Sequence, residues 1–383
     1  MKRLFCLFLL PVILFSVIPV SASPSPEDPP PFTVEARSAV LMEASTGTIL
    51  YAMNGDAAYP PASVTKVMTL LLVMEAIDGG RIPLDGKIQV SVNAASMGGS
   101  QVYLEPGELM TVEELLKSVV VSSANDAAVA LAEAVSGSEE AFVSLMNEKA
   151  TALGMTSTHF ENPTGLDDTT TNHVTSAKDI AVMSRELIVK HPDILKYSSI
   201  WMDTIRDGAF GLSNTNRLIR YYQGANGLKT GSTAKAKFCI SAAAKRDGMQ
   251  LIAVIMGSET RDIRNEAAKK LLDYGFSNYR IVSSEPGEPG PVPVTGGISD
   301  QVGLTYEGKS FLVPKTGNQS LEVVPEYPEV LEAPVLKGQI VGRAKILLDG
   351  KEIGETDIRA SEEIPRITFP ELFRRIWVRF LFG

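Results

Sequence analysis

The amino-acid sequence predicts an α/β (α+β) domain followed by a small all-β domain. Helix and strand patterns are mixed over residues 32–276, whereas residues 277–363 are rich in Val, Ile and short turns and show no convincing helix pattern. Near the start of the second region, from Glu285 to Gly297, the composition shifts to Pro and Gly, which is typical of a linker or an irregular domain entry. A chain of 383 residues with 44% hydrophobic residues can bury the cores of two domains.

The first domain is expected to begin with two short strands, at residues 38–43 and 48–53, joined by a Ser-Thr-Gly turn. Apolar residues then recur with a spacing close to 3.6 over residues 65–77, which predicts a helix. Residues 236–245 and 250–257 form a second hairpin pattern, because the Arg-Asp-Gly between them is a turn signal. Further helices are expected over residues 111–121, where Thr111 and Glu114 match a capping box, 126–135 and 263–274.

The N-terminal residues have the features of an export signal. Lys2 and Arg3 precede an apolar run from Leu4 to Val20, and the small residues around Ala22 suit a signal peptidase. We therefore expect a signal peptide at residues 1–22 and a Pro-rich leader at residues 23–31. An uncleaved membrane anchor is the alternative.

The last residues, 364–383, are expected to contain an amphipathic helix that lies on a membrane surface. From Phe369 to Phe382, apolar side chains fall on one side of a helical wheel and charged side chains on the other. Such a helix is too short to span a bilayer, but a basic amphipathic helix binds the lipid interface. A helix docked on the all-β domain is the alternative. The apolar side comprises Leu372, Phe373, Ile376, Trp377, Phe380 and Leu381, and the polar side Glu371, Arg374, Arg375 and Arg379.

The composition argues against several other classes of protein. A net charge of −9 without a basic block makes nucleic acid an unexpected partner. Outside the signal segment Cys239 is the only cysteine, and its apolar neighbours predict a buried thiol that forms no disulfide. The three histidines lack the spacing of metal ligands, so no metal and no other cofactor is expected.

Three short motifs carry the predicted chemistry, and they occur in the order Ser63-Val64-Thr65-Lys66, Ser123-Ala124-Asn125 and Lys229-Thr230-Gly231. Ser63 is expected at the start of a helix, which places Lys66 one turn later on the same side. A serine hydroxyl becomes a nucleophile when a base removes its proton. A lysine can be that base if burial and nearby positive charge lower its pKa.

The other two motifs are expected to face the same cleft. Ser123 lies between two predicted helices, where its hydroxyl would relay a proton to the leaving amine and the Asn125 amide would bind the substrate backbone. The Lys229 motif is expected to lead into the 236–245 strand, at a sheet edge that could pair with an extended peptide. Lys229 and Thr230 would then bind a terminal carboxylate, and Gly231 leaves room for the ligand.

Each motif has a simpler interpretation when it is taken alone. Ser63 could cap a helix, and the Ser123 motif could be an ordinary turn. A second Lys-Thr-Gly, which begins at Lys315, is expected to be a turn of the all-β domain. The ordered set of three is the combination found in penicillin-binding proteins and class A β-lactamases.

Longer segments resemble the D-alanyl-D-alanine carboxypeptidase family of low-molecular-mass penicillin-binding proteins. The similar segments are YPPASVTKVMT at 59–69, GSQVYL at 99–104, HFENPTGL at 159–166 and GLKTG at 227–231. The resemblance implies a β-lactamase/transpeptidase-like catalytic domain that releases the terminal D-alanine from peptidoglycan pentapeptide stems. It also implies a protein exported to the outer face of the bacterial cytoplasmic membrane.

The same resemblance implies roles for individual residues. Ser63 would form the acyl-enzyme, Lys66 would be the general base, Ser123 a proton relay and Lys229 the cation that binds the carboxylate. The backbone N–H groups of Ser63 and Ser232 would form the oxyanion hole, and β-lactams would acylate the same serine. Many family members have His where this chain has Ser232, a difference that leaves the backbone donor intact.

Three other functions stay open at this point. A class A β-lactamase needs a Glu that activates the deacylating water, and Glu161 lies at a comparable distance along the chain but lacks the Glu-x-x-x-Asn pattern. A non-catalytic muropeptide-binding protein would keep the motifs without turnover. A DD-endopeptidase would use the same residues on a different peptide bond.

Overall fold

The computed structural model describes residues 32–382, with the exception of residue 318. The expected signal peptide and Pro-rich leader, residues 1–31, lie outside the described residues. None of the helices in the described part of the chain combines the length and the apolar character that crossing a bilayer requires.

Strands from both ends of the first domain form its central sheet. The strands of this domain are β1 (Ser38–Glu43), β2 (Ile49–Met53), β3 (Lys87–Gln89), β4 (Leu109–Thr111), β5 (Met202–Ile205), β6 (Phe210–Ser213), β7 (Ala225–Thr233), β8 (Lys237–Arg246) and β9 (Met249–Ser258). Five of them form an antiparallel sheet in the order β2-β1-β9-β8-β7, and the others pair as β3–β4 and β5–β6. Both predicted hairpins are confirmed, and β7 is an edge strand.

Helices cover both faces of this sheet. They are α1 (Lys66–Asp78), α2 (Val92–Ala95), α3 (Val112–Ser122), α4 (Asn125–Ser136), α5 (Glu139–Ala152), α6 (Ala177–Lys190), α7 (Ile194–Ser198), α8 (Leu218–Tyr221) and α9 (Arg261–Asn278). The four predicted helices correspond to α1, α3, α4 and α9, and Thr111 and Glu114 form the expected capping box. A 3-10 turn, Ala62–Thr65, precedes α1.

Alternate side chains of the sheet belong to two separate cores. In β1, Ala39 packs in the core under α9, whereas Val40 packs in the larger core with α1, α3, α4 and α6. Because both faces of the central strands are covered, β9 is buried along its whole length. The helix α1 is buried without interruption from Lys66 to Met74, so the first residue of this helix brings a lysine into the interior of the protein.

The second domain consists of strands, as predicted. They are β10 (Tyr279–Ser283), β11 (Val292–Thr295), β12 (Gln301–Val302), β13 (Leu304–Tyr306), β14 (Ser310–Pro314), β15 (Leu321–Glu326), β16 (Leu331–Glu332), β17 (Ile340–Leu348) and β18 (Lys351–Ala360). They form sheets in the orders β13-β18-β17-β15 and β12-β11-β16, and β10 pairs with β14. The second Lys-Thr-Gly follows β14 outside any strand or helix, as expected. The boundaries at 276/277 and 363/364 stay predictions.

A terminal helix, α10 (Phe369–Phe382), follows the second domain and has the predicted length. Arg375 of this helix donates a hydrogen bond to the carbonyl of Ile298 and lies 3.5 Å from the carboxylate of Asp300. The large apolar side chains from Phe369 to Leu381 are exposed, with exposed fractions that range from 44% at Leu372 to 81% at Phe380.

Candidate active site

Ser63 lies in the 3-10 turn at the start of α1, next to a tightly packed loop. Ala62 in this turn has a φ of 51°, an uncommon value for a residue other than glycine. Gly165 packs directly against the turn with a φ of 81°, and a Cβ there would lie 1.9 Å from the Ala62 carbonyl oxygen. Only glycine fits at this contact, which holds the loop against the turn that carries Ser63.

Lys66 is fully buried and has three polar partners. Its Nζ lies 3.1 Å from Ser63 Oγ, 2.5 Å from Asn125 Oδ1 and 2.8 Å from the Thr164 carbonyl oxygen. A neutral amine has two N–H donors and one lone pair. The two oxygens that can only accept, on Asn125 and Thr164, match the two donors, so the lone pair is left for the hydroxyl of Ser63.

The protonation state of Lys66 fits this arrangement. Burial lowers its pKa well below the usual value, and the positive charge of Lys229 lowers the pKa further, while Asp126 acts in the opposite direction. The charged form of an ammonium is disfavoured when water is excluded and a second cation is near. Lys66 is therefore able to take the Ser63 proton near neutral pH.

Ser123 occupies the junction between α3 and α4. Its φ and ψ of 64° and 28° are left-handed, a conformation that helix ends normally reserve for Gly or Asn. The Nζ of Lys229 donates to Ser123 Oγ over 2.8 Å. Because this contact uses an acceptor position of the hydroxyl, its proton stays available for another partner. A strained backbone at a buried hydroxyl is typical of functional positions.

Asn125 links the second motif to the segment before it. Its Nδ2 donates to the Gly98 carbonyl over 2.7 Å, and its backbone N–H donates to the Ser100 carbonyl over 2.7 Å. One N–H of the side-chain amide therefore remains for a ligand.

The Lys229 motif lies on its own strand. The expectation that it leads into the 236–245 strand is wrong: Lys229, Thr230 and Gly231 lie within the edge strand β7, and Lys229 pairs with Ser241 of β8. The strand β7 continues to Thr233 and β8 begins at Lys237, so the turn between them lies after the motif and the motif itself has an extended backbone. The expected sheet edge is present, and it is β7.

Gly231 allows a close approach between β7 and the turn that carries Ser63. A Cβ at this position would lie 2.8 Å from the Ser63 nitrogen and 2.9 Å from both the Pro61 oxygen and the Val64 nitrogen. The missing side chain allows the edge strand to reach the backbone of Ser63.

The predicted site residues come together around one cleft with a volume of about 810 Å³. Lys66, Asn125 and Lys229 lie behind its surface, with exposed fractions of 0%, 2% and 1%. The cleft is lined by Ser63, Ser123, Thr230, Gly231 and Ser232.

Three arginines that the sequence reasoning missed line the same cleft, and they are Arg217, Arg261 and Arg264. Arg264 is 3% exposed, and its charge adds to burial in lowering the pKa of Lys229 to about 7. Arg261 and Arg264 lie in the first turn of α9, where the helix dipole disfavours cations. Two arginines at such a position are unusual, and this is a feature of the sequence that could have indicated a functional role. Arg217 follows a loop and has no comparable signal.

His173 is a further residue whose position only the structure shows. It is 3% exposed, its Nδ1 accepts the N–H of Glu161 over 3.0 Å, and its Nε2 lies 2.8 Å from Thr65 Oγ1. Because Nδ1 accepts, the neutral ring carries its proton on Nε2 and donates it to Thr65, beside Ser63. Burial lowers the pKa of His173 to about 4, so the ring is neutral at neutral pH.

Glu161 is committed to its own loop. Its carboxylate accepts backbone N–H groups of Thr171 and Asn172 at 2.9 and 3.1 Å. The group nearest to Lys66 from this loop is the Thr164 carbonyl, not a carboxylate. Glu161 is therefore not bonded to Lys66, and its carboxylate is occupied by backbone donors of its own loop.

Comparison with known proteins agrees with the geometry of the cleft. A family model described as D-alanyl-D-alanine carboxypeptidase matches residues 23–260. The chain belongs to the D-alanyl-D-alanine carboxypeptidase family. A second model, described as penicillin-binding protein 5, C-terminal domain, matches residues 284–366. The predicted fold, a β-lactamase/transpeptidase-like domain followed by an all-β domain, is thereby confirmed.

The similarity extends over whole chains. D-alanyl-D-alanine carboxypeptidase DacF of Bacillus subtilis (strain 168) is 40% identical over 99% of this chain and 100% of its own length. DacC of Escherichia coli (strain K12) is 33% identical over 96% of this chain and 92% of its own. The crystal structure of penicillin binding protein 5 from Haemophilus influenzae is 32% identical, covers 88% of this chain and 99% of its own, and superposes with a TM-score of 0.75.

A smaller structural relative is known with a bound antibiotic. Penicillin-binding protein D2 from Listeria monocytogenes, in an ampicillin-bound form, is 32% identical, covers 64% of this chain and 100% of its own, and has a TM-score of 0.59. The expected activity, that of a serine D-alanyl-D-alanine carboxypeptidase acting on peptidoglycan, is confirmed by the family and its relatives.

Proposed function

We propose that Ser63, Lys66 and Ser123 are the catalytic residues of this carboxypeptidase, and that Asn125, Lys229, Thr230, Gly231 and Ser232 bind the substrate. The observation that carries the proposal is the environment of Lys66. Its two donors are matched by the acceptors on Asn125 and Thr164, so its lone pair is left for Ser63 Oγ at 3.1 Å.

In the acylation step, Ser63 Oγ attacks the carbonyl carbon of the penultimate D-alanine, in the peptide bond to the terminal D-alanine, while its proton passes to Lys66 Nζ. The N–H groups of Ser63 and Ser232 would stabilise the negative oxygen of the tetrahedral intermediate. Ser123 would give its proton to the leaving nitrogen and receive in its place the proton that Lys66 took from Ser63, so that the C–N bond breaks, D-alanine departs and Lys66 is neutral again. Water then hydrolyses the ester on Ser63 and frees the shortened stem peptide.

Positive charge in the cleft supports binding of a terminal carboxylate. Lys229 and Thr230 come from the edge strand, and Arg264 and Arg217 line the same cleft. An extended peptide that adds to β7 would place its C-terminus among these groups, and Asn125 would hold its backbone from the opposite side. A carboxylate would also favour the charged form of Lys229, whose pKa of about 7 leaves it only partly protonated at neutral pH.

The same serine is proposed to react with β-lactams, as the ampicillin-bound relative suggests. The test is to incubate the mature protein with labelled penicillin and with a peptide that ends in D-Ala-D-Ala. Ser63→Ala should form no covalent adduct and lower the release of D-alanine by about 10⁴-fold or more. Ser213→Ala, which changes another serine lining the cleft, should retain both activities. A penicillin adduct on the Ser63→Ala protein would contradict the assignment.

The chain is further proposed to be exported and held at the outer face of the cytoplasmic membrane, with residues 1–22 as signal peptide, 32–276 and 277–363 as the two domains, and α10 as the membrane-binding segment. The uncovered apolar side of α10 supports this location, because large apolar side chains that are 44% to 81% exposed favour a lipid interface.

The membrane proposal is tested separately from catalysis. A chain that ends before Phe369 should lose binding to phospholipid vesicles and keep its carboxypeptidase activity. In the full chain, Trp377→Glu should weaken vesicle binding, whereas Glu371→Gln, on the polar side, should retain it. Continued sedimentation of the shortened chain with vesicles would show that another surface binds the membrane.

A further inference from the structure

Tyr103 is a large apolar side chain that is held in an exposed position beside the cleft. It is 67% exposed and has a φ of 56°. Left-handed backbone is uncommon for a bulky residue and costs conformational free energy. The ring does not recover this cost by burial, because most of its surface is in contact with solvent.

The side chains of Asp126, which is buried, and Arg206, which is half-buried, hold the backbone of Tyr103 in this conformation. Arg206 donates from Nη1 to the Val102 carbonyl over 2.9 Å and from Nη2 to the Tyr103 carbonyl over 3.1 Å. Asp126, which is fully buried, accepts the N–H groups of Val102 and Leu104 at 3.0 and 3.1 Å. The peptide groups on both sides of Tyr103 are therefore fixed, and its ring is kept away from the core.

The ring of Tyr103 is part of a small aromatic surface. Its centroid lies 6.3 Å from that of Phe210, with an angle of 62° between the ring planes, and the guanidinium of Arg206 lies 5.5 Å from the Phe210 ring. Phe210 supports Tyr103 from the side, while the exposed part of Tyr103 faces solvent. We call these two residues the Tyr103–Phe210 surface.

This surface adjoins the cleft along two chain segments. Ser100 lines the cleft three residues before Tyr103, and Ser213 lines it three residues after Phe210 in β6. Three residues span at most about 10 Å, so the aromatic surface lies within about 10 Å of residues that line the cleft. A four-residue stretch of extended stem peptide spans up to about 14 Å. With its D-Ala-D-Ala end at Ser63, the stem therefore extends toward the side of the cleft that Ser100 and Ser213 line, next to Tyr103 and Phe210.

From these distances we propose that the Tyr103–Phe210 surface binds the saccharide to which the stem peptide is attached. The less polar face of a pyranose ring packs well on an aromatic ring, and Arg206, whose guanidinium is paired with Glu108 at 2.7 Å, holds the Tyr103 backbone in the position that exposes this ring. The inference rests on the proposed function, since it requires the D-Ala-D-Ala end of the same substrate to lie at Ser63.

The test compares two substrates with an identical pentapeptide, one free and one linked to its disaccharide. An aromatic contact of this kind raises kcat/KM for the disaccharide-linked substrate about three- to tenfold over that for the free peptide. Tyr103→Gly relaxes the backbone at a positive φ and removes the ring, so it should bring this ratio close to one. Tyr103→Phe keeps the ring and should keep the ratio, as should Leu336→Ala, which alters an exposed residue of the all-β domain.

A wild-type ratio of one, an unchanged ratio in Tyr103→Gly, or an equal loss on both substrates would overturn the proposal. The last result would mean that Tyr103 only shapes the segment from Ser100 to Leu104. Calorimetric binding of the two substrates to the Ser63→Ala protein gives the same comparison without turnover. Failure of the proposed catalytic roles would instead appear as hydrolysis of the free pentapeptide by Ser63→Ala, whatever the preference for the saccharide.

Discussion

Replacing Gly231 by alanine would place a methyl group in a close contact between the edge strand β7 and the turn that carries Ser63. The new Cβ would lie 2.8 Å from the Ser63 nitrogen and 2.9 Å from two further backbone atoms, on Pro61 and Val64. Ordinary van der Waals contact begins near 3.4 Å, so the strand and the turn must separate by 0.5 to 0.6 Å (3.4 less 2.9 or 2.8). Backbone atoms on both sides leave no flexible side chain to absorb the shift.

The displacement affects both stability and rate. Forcing an extra methyl group into a well-packed contact costs about 1–3 kcal/mol of unfolding free energy. A misplacement of about 1 Å at an active site lowers a rate by about 10²-fold, so half that displacement should slow acylation by about tenfold. The proposed oxyanion donors on Ser63 and Ser232 would separate by the same movement, which places the loss in the chemical step.

The assay is the second-order rate of acylation by labelled penicillin, measured together with urea unfolding. Gly231→Ala should acylate about tenfold more slowly than wild type. The matched control is Gly211→Ala in β6, where a Cβ would meet no atom within 4 Å, and its rate and stability should be those of wild type. Wild-type acylation by Gly231→Ala, with unchanged stability, would refute the inferred contact between β7 and the nucleophile.

Two further predictions follow from the titrating groups. The charge of Lys229 lowers the pKa of Lys66. Lys229→Gln should therefore move the acidic limb of the pH–rate profile for penicillin acylation to higher pH. The difference in rate between the variant and wild type should narrow above pH 7, where Lys229 of the wild-type protein loses its own proton. An acidic limb at the same pH in both proteins would contradict the assignment of Lys66 as the base whose titration limits the rate. The pKa of His173 falls from 6.5 to about 4 on folding, so the unfolded chain binds a proton that the native protein does not. The contribution of His173 to the free energy of unfolding is then fully present above pH 6.5 and is lost toward pH 4, by up to about 3 kcal/mol. In His173→Gln the loss of unfolding free energy between pH 7 and pH 4.5 should be smaller by about 2–3 kcal/mol, and an equal loss in both proteins would contradict this account.

Features that depend on neighbours in sequence were predictable from the residues. The capping box at Thr111, the hairpin between β8 and β9 and the terminal helix α10 arise from local hydrogen bonds and from the period of apolar residues. The spacing of Ser63 and Lys66 belongs to the same class, because three residues at the start of a helix bring two side chains to one side. The edge position of the Lys229 motif was predicted as well, although the motif forms β7 itself and does not lead into β8.

Features that depend on packing between distant segments were not predictable. Arg264 reaches the cleft from a helix 201 residues after Ser63 (264 less 63), His173 reaches Thr65 from a loop, and Tyr103 is fixed by Arg206 and Asp126. A local pattern can mark an unusual residue, as at the start of α9, but it does not show which distant segment that residue meets, because the meeting depends on how the whole domain packs around its two cores.

The chemistry of Ser63 shows the same division. The order of residues was enough to predict that a serine, a lysine three residues later and two further polar motifs take part in one reaction. That Lys66 can act as a base follows from the fold, because its pKa depends on the burial of α1 and on the charge of Lys229. The desolvation of a charged group and its repulsion by another cation are properties of three-dimensional distance, which residue order does not contain.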